Sequence, residues 1–349
     1  MEEGRAILAL KDGTYVATGR FRLRPEKDYD LFLAHLSKNF ELLSLKSFGG
    51  PFQDEGMWLE PTRDGGFILA GYAFEKEGGY GRHDIYLLKF SSQFELEWER
   101  LHGRPFREIP FCVRESEYGY VIGGYTKSQG KNGDFFLLGI DPAGNALWDN
   151  YYEAPFVDFG HSLAATKDGY LIVGSTSGYY FPSQANHHYS DSNIMLIRTD
   201  KEGNELERKF YGGERHEFAR SLAKAEDGWY IFGSRQTEEK GDFDWMLLRL
   251  DQDLNEVWTK DYGAKGTDQG TAMVSVEDGL YLVGTVETEG KYKPRIIKVD
   301  KEGDVLEERG WHLPEESIIQ GLTLNTKNLP IGIGFRITDD NSNDVVIYW

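Results

Sequence analysis

The sequence predicts an all-β protein: a seven-bladed β-propeller of four-stranded antiparallel blades, with three strands in the last. Three observations predict it. A unit of roughly fifty residues recurs from one end of the chain to the other. Every copy alternates short apolar runs with tight-turn signals. No stretch keeps a helical period. One copy cannot cover its own apolar faces, so copies must stack, and a radial stack protects its edges by closing a circle. A β-solenoid is the rival, but its coils repeat at shorter periods with less regular hairpins.

The fifth copy, residues 216–263, is the clearest. Its first strand, ARSLAKA, ends at Asp227-Gly228, a hairpin signal because Gly accepts a positive φ without steric cost. The second strand, WYIFGS, holds Gly233, which removes a side chain where a neighbouring backbone or ring must come close. The third, WMLLRL, suits a strand covered on both faces. A turn over Asp251 to Asn255 leads to EVWTKDYG, mixed in polarity and suited to an outer, half-wet position.

The same elements recur in order. The hairpin returns at Asp12-Gly13, Asp64-Gly65, Asp168-Gly169 and Asp278-Gly279, with Tyr118-Gly119 in the third copy and Asn328-Leu329 in a degenerate seventh. The second-strand glycine recurs as Gly19, Gly71, Gly124, Gly174, Gly233, Gly284 and Gly334. Third strands read DLFLAHL, DIYLLKF, DFFLLGI, NIMLIRT, DWMLLRL, PRIIKV and DVVIYW. The following turn, cleanest at Asp141 to Gly144, Asp200 to Gly203 and Asp300 to Gly303, fits a type I turn closed by a left-handed Gly. Trp98, Trp148 and Trp258 mark fourth strands. One domain, 1–349, is expected, with blades near 1–50, 51–103, 104–154, 155–214, 215–264, 265–312 and 313–349.

The motif order resembles the repeat of the seven-bladed β-propeller family abbreviated SBBP. That repeat has an acidic residue in a Gly-rich loop, an apolar strand, an Asp-Gly turn and a strand ending in Gly. An Asp-led apolar strand, a Gly turn and a Trp-bearing strand follow. Here it reads GTDQGTAMVSVEDGLYLVGT and GDFDWMLLRLDQDLNEVWTKDYGA. The resemblance covers nearly the whole chain. It implies the fold and a binding or surface scaffold, and it implies no shared catalytic residues. Members are often exported, which the N-terminus here does not support.

Composition narrows the classes. The 39 basic and 58 acidic residues leave a net charge of −19, which disfavours nucleic acid, because that affinity comes from basic groups displacing phosphate counterions. No apolar run approaches the roughly 20 residues that span a bilayer. One cysteine, Cys112, rules out an intrachain disulfide framework and reads as a small core residue. MEEGRAILALKDG carries no basic leader, and a cytoplasmic location is the expectation. No phosphate-binding Gly loop, metalloprotease motif or serine elbow is present. No cofactor and no metal are expected.

Variable loops on a rigid scaffold commonly carry function. Those loops fall on the face of the second-to-third connections and the blade crossings. On that face an acidic residue sits ten positions before the hairpin in six copies: Glu2, Asp54, Glu108, Asp158, Glu217 and Asp268. Either these form a ring that binds a cation, or each accepts backbone N–H bonds at its crossing. Sheets packed about 10 Å apart give a ring roughly 20 Å across, too wide for one ion bonded at about 2.3–2.6 Å, so the structural role is favoured. Three residues further on the chain is irregular: Arg5, Met57, Phe111, His161, Arg220 and Thr271. These line an asymmetric pocket, or the two arginines simply neutralise nearby carboxylates. The longest loop, in blade 4, carries Tyr179, Tyr180, Phe181, His187, His188 and Tyr189. Aromatics on such a face suit recognition; adjacent histidines lack the spacing of a zinc helix.

The expected function is therefore a non-enzymatic binding scaffold whose partner, a protein or a small ligand, docks on the long-loop face around the channel mouth. The uncovered edge of DVVIYW invites strand addition. No nucleic acid or membrane partner is expected. One alternative is a propeller hydrolase or lyase using Asp158, His161, Glu217 and His187. The other is a carbohydrate-binding propeller using the blade-4 aromatics.

Overall fold

The computed structural model describes all residues except 1, 23–27, 81, 106, 128–132, 154–157, 178–191, 214, 238–241, 264–265, 311–315 and 339–342, and excludes the side chains of Asp158 and Ser177. Seven antiparallel sheets form in chain order, six of four strands and a last of three. Within each, sequence neighbours are sheet neighbours. This is the seven-bladed propeller the repeat predicts. Among the described residues no helix is long and apolar enough to cross a membrane.

The inner strands are Glu3–Ala9, Asp54–Pro61, Glu108–Glu115, Asp158–Ala165, Glu217–Ala225, Gln269–Val276 and Ser317–Leu324. Second strands, and third strands of blades 1 to 5, are mostly buried, as Tyr120–Thr126 and Asp134–Ile140 illustrate, whereas the third strands of blades 6 and 7 are largely half-buried. Outer strands are mostly exposed or half-exposed along their length. The apolar core is correspondingly divided into clusters lying between successive blades. Leu196, Ile231 and Met246 join blades 4 and 5, while Phe232, Trp245 and Leu282 join blades 5 and 6. Burial of these faces is the main stabilising term.

Ring closure uses the same device as the internal joints. The Asp54 N–H donates to Tyr29 O at 2.7 Å, and the Asp268 N–H to Phe243 O at 2.6 Å. At the seam the Glu2 N–H donates to Asn343 O at 2.9 Å. Ile7, Tyr15 and Phe32 of blade 1 pack there with Ile331, Ile333, Val345 and Ile347 of blade 7. The third strand of blade 7, Asn343–Tyr348, pairs with Pro330–Ile337; among the described residues no fourth strand joins that sheet.

Two turn classes refine the sequence reading. After the third strands, Gly144, Gly203 and Gly303 take φ of 83°, 77° and 81°, while Phe40, Phe94 and Leu254 take 64°, 65° and 59° at the same position. A positive φ is unfavourable for bulky residues, and the Leu254 side chain, only 1% exposed, offsets that cost by burial. The Asp227-Gly228 hairpin turns one residue earlier than its motif suggests: Ala225 pairs with Gly228, so Glu226 and Asp227 form the loop. Gly228 is needed there because a Cβ would meet Leu250 O at 2.1 Å.

Candidate functional site

The inner strand of every blade carries one β-bulge. Gly4 pairs with Gly19 and Ala6 with Thr18, leaving Arg5 as the extra residue. Met57, Phe111, His161, Arg220, Thr271 and Gln320 are the extra residues of the other six. A bulge leaves one residue out of the ladder and re-aims its side chain. Here all seven line a central channel cavity of about 750 Å³.

The bulges exist because of the second-strand glycines. A Cβ at Gly19 would lie 1.9 Å from Glu3 O, and one at Gly174 only 1.7 Å from Phe159 O. Gly71, Gly124, Gly233, Gly284 and Gly334 face the matching carbonyls of Glu55, Ile109, Phe218, Gln269 and Ile318 at 1.8–2.2 Å. In each case the oxygen belongs to the residue two before the bulge. The recurring glycine is the space into which the bulged backbone folds.

Charge in the channel is uneven. Arg5 pairs with Glu3 at 2.9 Å and with Glu55. Arg20 bonds Glu3 at 2.5 Å and lies 3.6 Å from Glu55, which also accepts the Tyr72 hydroxyl at 2.8 Å. Two arginines and two glutamates thus balance between blades 1 and 2. Arg114 pairs with Glu60 at 2.9 Å and rests over the Trp58 ring. Arg220 has no carboxylate within salt-bridge distance among the described residues. One guanidinium nitrogen sits 3.4 Å and 3.5 Å from the two ring nitrogens of His161. Burial, reinforced by the Arg220 charge, holds His161 well below the ordinary histidine range, so its ring is neutral at pH 7.

The acidic positions lie beside the crossings. Asp54 accepts N–H bonds from Gly50 at 2.7 Å and Phe74 at 3.1 Å; Asp268 accepts from Glu287 at 3.1 Å. Glu108 accepts from the Arg104 N–H at 3.0 Å and the Thr126 hydroxyl at 2.9 Å. Glu217 takes the Gly213 N–H at 3.4 Å and lies 3.5 Å from Arg235. Glu2 is half-buried at the seam, and burial raises its pKa. Asp158 opens its inner strand, and its side chain lies outside the described residues. Of the five whose side chains are described, none lines the cavity. Among the described residues, no cluster of His, Cys, Asp and Glu is arranged to hold a metal.

Burial lifts Asp54 to about 6 and Glu217 to about 7. A carboxyl whose pKa is raised by folding binds its proton more tightly when folded, so it loses stability as pH climbs from its unfolded value through its folded one. For Glu217 that window runs from pH 4.5 to about 7. Glu217→Gln is therefore expected to gain about 1–3 kcal/mol relative to wild type between pH 5 and 8. Denaturant midpoints of the two proteins at both pH values check this; comparing the pair cancels the titrating histidines.

Cys112 is fully buried, its thiol pushed up to about 12 by desolvation, and Sγ faces Gly123 O at 3.6 Å. Of the alternative catalytic set, His161 lines the channel, Glu217 does not, and His187 lies outside the described residues. Tyr179, Tyr180, Phe181, His188 and Tyr189 lie outside them too. Sequence reasoning missed Gln320, because Ser317 replaces the acidic marker in the seventh copy. It also missed Glu3 and Glu55. These were visible as the two glutamates at a position filled elsewhere by Ile109, Phe159, Phe218, Gln269 and Ile318.

No protein-family model matches the chain, and no curated protein matches it in sequence. Solved structures do match in shape. The acylaminoacyl peptidase of Pyrococcus horikoshii is 11% identical with a TM-score of 0.58, over 100% of this chain and 51% of the peptidase. The β-propeller domain of the Trilobed protease from Pyrococcus furiosus, described as having an open velcro topology, is 10% identical with a TM-score of 0.54, over 99% and 94%. Sqt1 of Chaetomium thermophilum, bound to the N-terminus of the ribosomal protein L10, is 11% identical with a TM-score of 0.55, over 99% and 96%. The chain spans about half the length of the first and nearly all of the other two. Fold and likeness together define a seven-bladed β-propeller; at such identities they define nothing finer.

Proposed function

We propose that the chain is a non-enzymatic binding propeller that takes a ligand or a partner segment at the long-loop mouth of its channel. One observation carries the reading: the scaffold is regular at the bulge glycines and at the crossing bonds, and irregular at the seven bulged side chains. Arg5, Met57, Phe111, His161, Arg220, Thr271 and Gln320 give charge, thioether, aromatic ring, hydroxyl and amide around one cavity. Regular backbone with irregular side chains is what recognition of an asymmetric object requires. Sqt1, of similar fold, binds a protein N-terminus, which makes a peptide segment one occupant of the right kind. The finer kinship with the SBBP repeat is carried by the motif order alone, since no family model matches.

Thr271→Trp, alone or with Gln320→Trp, fills the channel from blades 6 and 7. The full chain, pulled down from its native extract, is expected to lose its bound partner or small molecule when so filled, with its melting temperature retained. Unchanged capture by a folded, filled variant would reject the channel. Turnover of an extract component by wild type, abolished by His161→Ala, would favour the enzyme alternative instead.

A further inference from the structure

We propose that the channel binds a small organic carboxylate, held by the Arg220 guanidinium with its apolar body against Phe111 and Met57. This rests on the channel reading above and names the class of ligand.

Arg220 is the exception among the arginines that face the interior. Arg5, Arg20, Arg114, Arg235 and Arg249 each have a carboxylate within salt-bridge distance; among the described residues Arg220 has none. Its contact with His161 does not replace one. The guanidinium nitrogen is almost equidistant from both imidazole nitrogens, at 3.4 Å and 3.5 Å, so it lies against the ring and is not directed at a lone pair. Arg220 lines the cavity and is exposed.

The surroundings set the ligand. Arg5, Arg20 and Arg114 are balanced by Glu3, Glu55 and Glu60, which leaves Arg220 as about one uncompensated positive charge, so a monoanion fits better than a dianion. A carboxylate suits the planar guanidinium because two parallel N–H···O bonds form. Beyond His161 the ring continues with Phe111, whose ring centroid is 5.0 Å from that of His161, and then Met57. That arc offers an aromatic face and a polarisable thioether to an apolar body. A cavity of about 750 Å³ accommodates a ligand of that size.

The test is calorimetric titration of the whole chain with benzoate and hexanoate, and with benzamide as the uncharged control. Wild type is expected to bind benzoate with a Kd of about 1 mM or tighter and benzamide roughly tenfold more weakly. Arg220→Gln is expected to lose roughly tenfold in benzoate affinity, and Arg220→Lys less, because Lys keeps the charge without the fork. Arg309→Gln, at an exposed outer-strand arginine paired with Glu307, is expected to change nothing. Equal binding by wild type and Arg220→Gln, or no binding of either carboxylate to wild type, would overturn the proposal. Loss of benzoate in Thr271→Trp but not in Arg220→Gln would also overturn it while leaving the channel reading intact.

Discussion

Gly174→Ala is expected to destabilise the fold by roughly 3 kcal/mol or more, and to disturb the channel with it. The added Cβ would sit 1.7 Å from Phe159 O and 2.6 Å from the Phe135 ring. The first contact is with backbone, which cannot swing aside as a side-chain end does. Relief requires the bulge at His161 to flatten, and a one-residue change of register turns side chains to the opposite face. His161 would then leave the ring. Gly310→Ala is the control: a Cβ there meets nothing within 4 Å, and a change within about 0.5 kcal/mol is expected. Denaturant unfolding of both variants checks the pair, and equal stability would break the link between glycine and bulge.

Glu55→Ala is the second large effect, with an expected loss of about 2–4 kcal/mol. The Glu55 side chain is 3% exposed and answers Arg5, Arg20 and the Tyr72 hydroxyl. Removing it leaves Glu3 alone against two guanidinium groups. The arginines are 24% and 17% exposed, so water softens the penalty below that of a fully buried pair. Glu55→Gln keeps the volume and a partner for Tyr72, and is expected to cost about half as much. A melting temperature unchanged in Glu55→Ala would show that the network contributes nothing net.

These two positions also mark what the sequence discloses. Turn chemistry is local, so Asp12-Gly13 or Asp141 to Gly144 announces itself in a few residues, and the repeat follows. The glycine at 174 is equally visible, but its reason is not, because a bulge is a relation between two strands and neither strand states it alone. The Arg5–Glu55 pair joins neighbouring blades fifty residues apart; only the stacking of copies brings it into reach. Among the proposed site residues, Arg5 and Arg220 look alike as letters. Their difference arises from Glu3 and Glu55, which no pattern within blade 5 reproduces. The seventh ring member, Gln320, becomes legible only through the pairing of Ile319 with Gly334.

The seam between blades 7 and 1 carries its own consequence. It is held by packed faces and by the Glu2–Asn343 bond, the same kind of joint that precedes Asp54 and Asp268. The joint between blades 7 and 1 is then chemically equivalent to the joints between blades that the chain connects directly. A circular permutant of residues 1–349, joined across the seam and opened at another crossing, is expected to keep the same packing between neighbouring blades in a different order of synthesis.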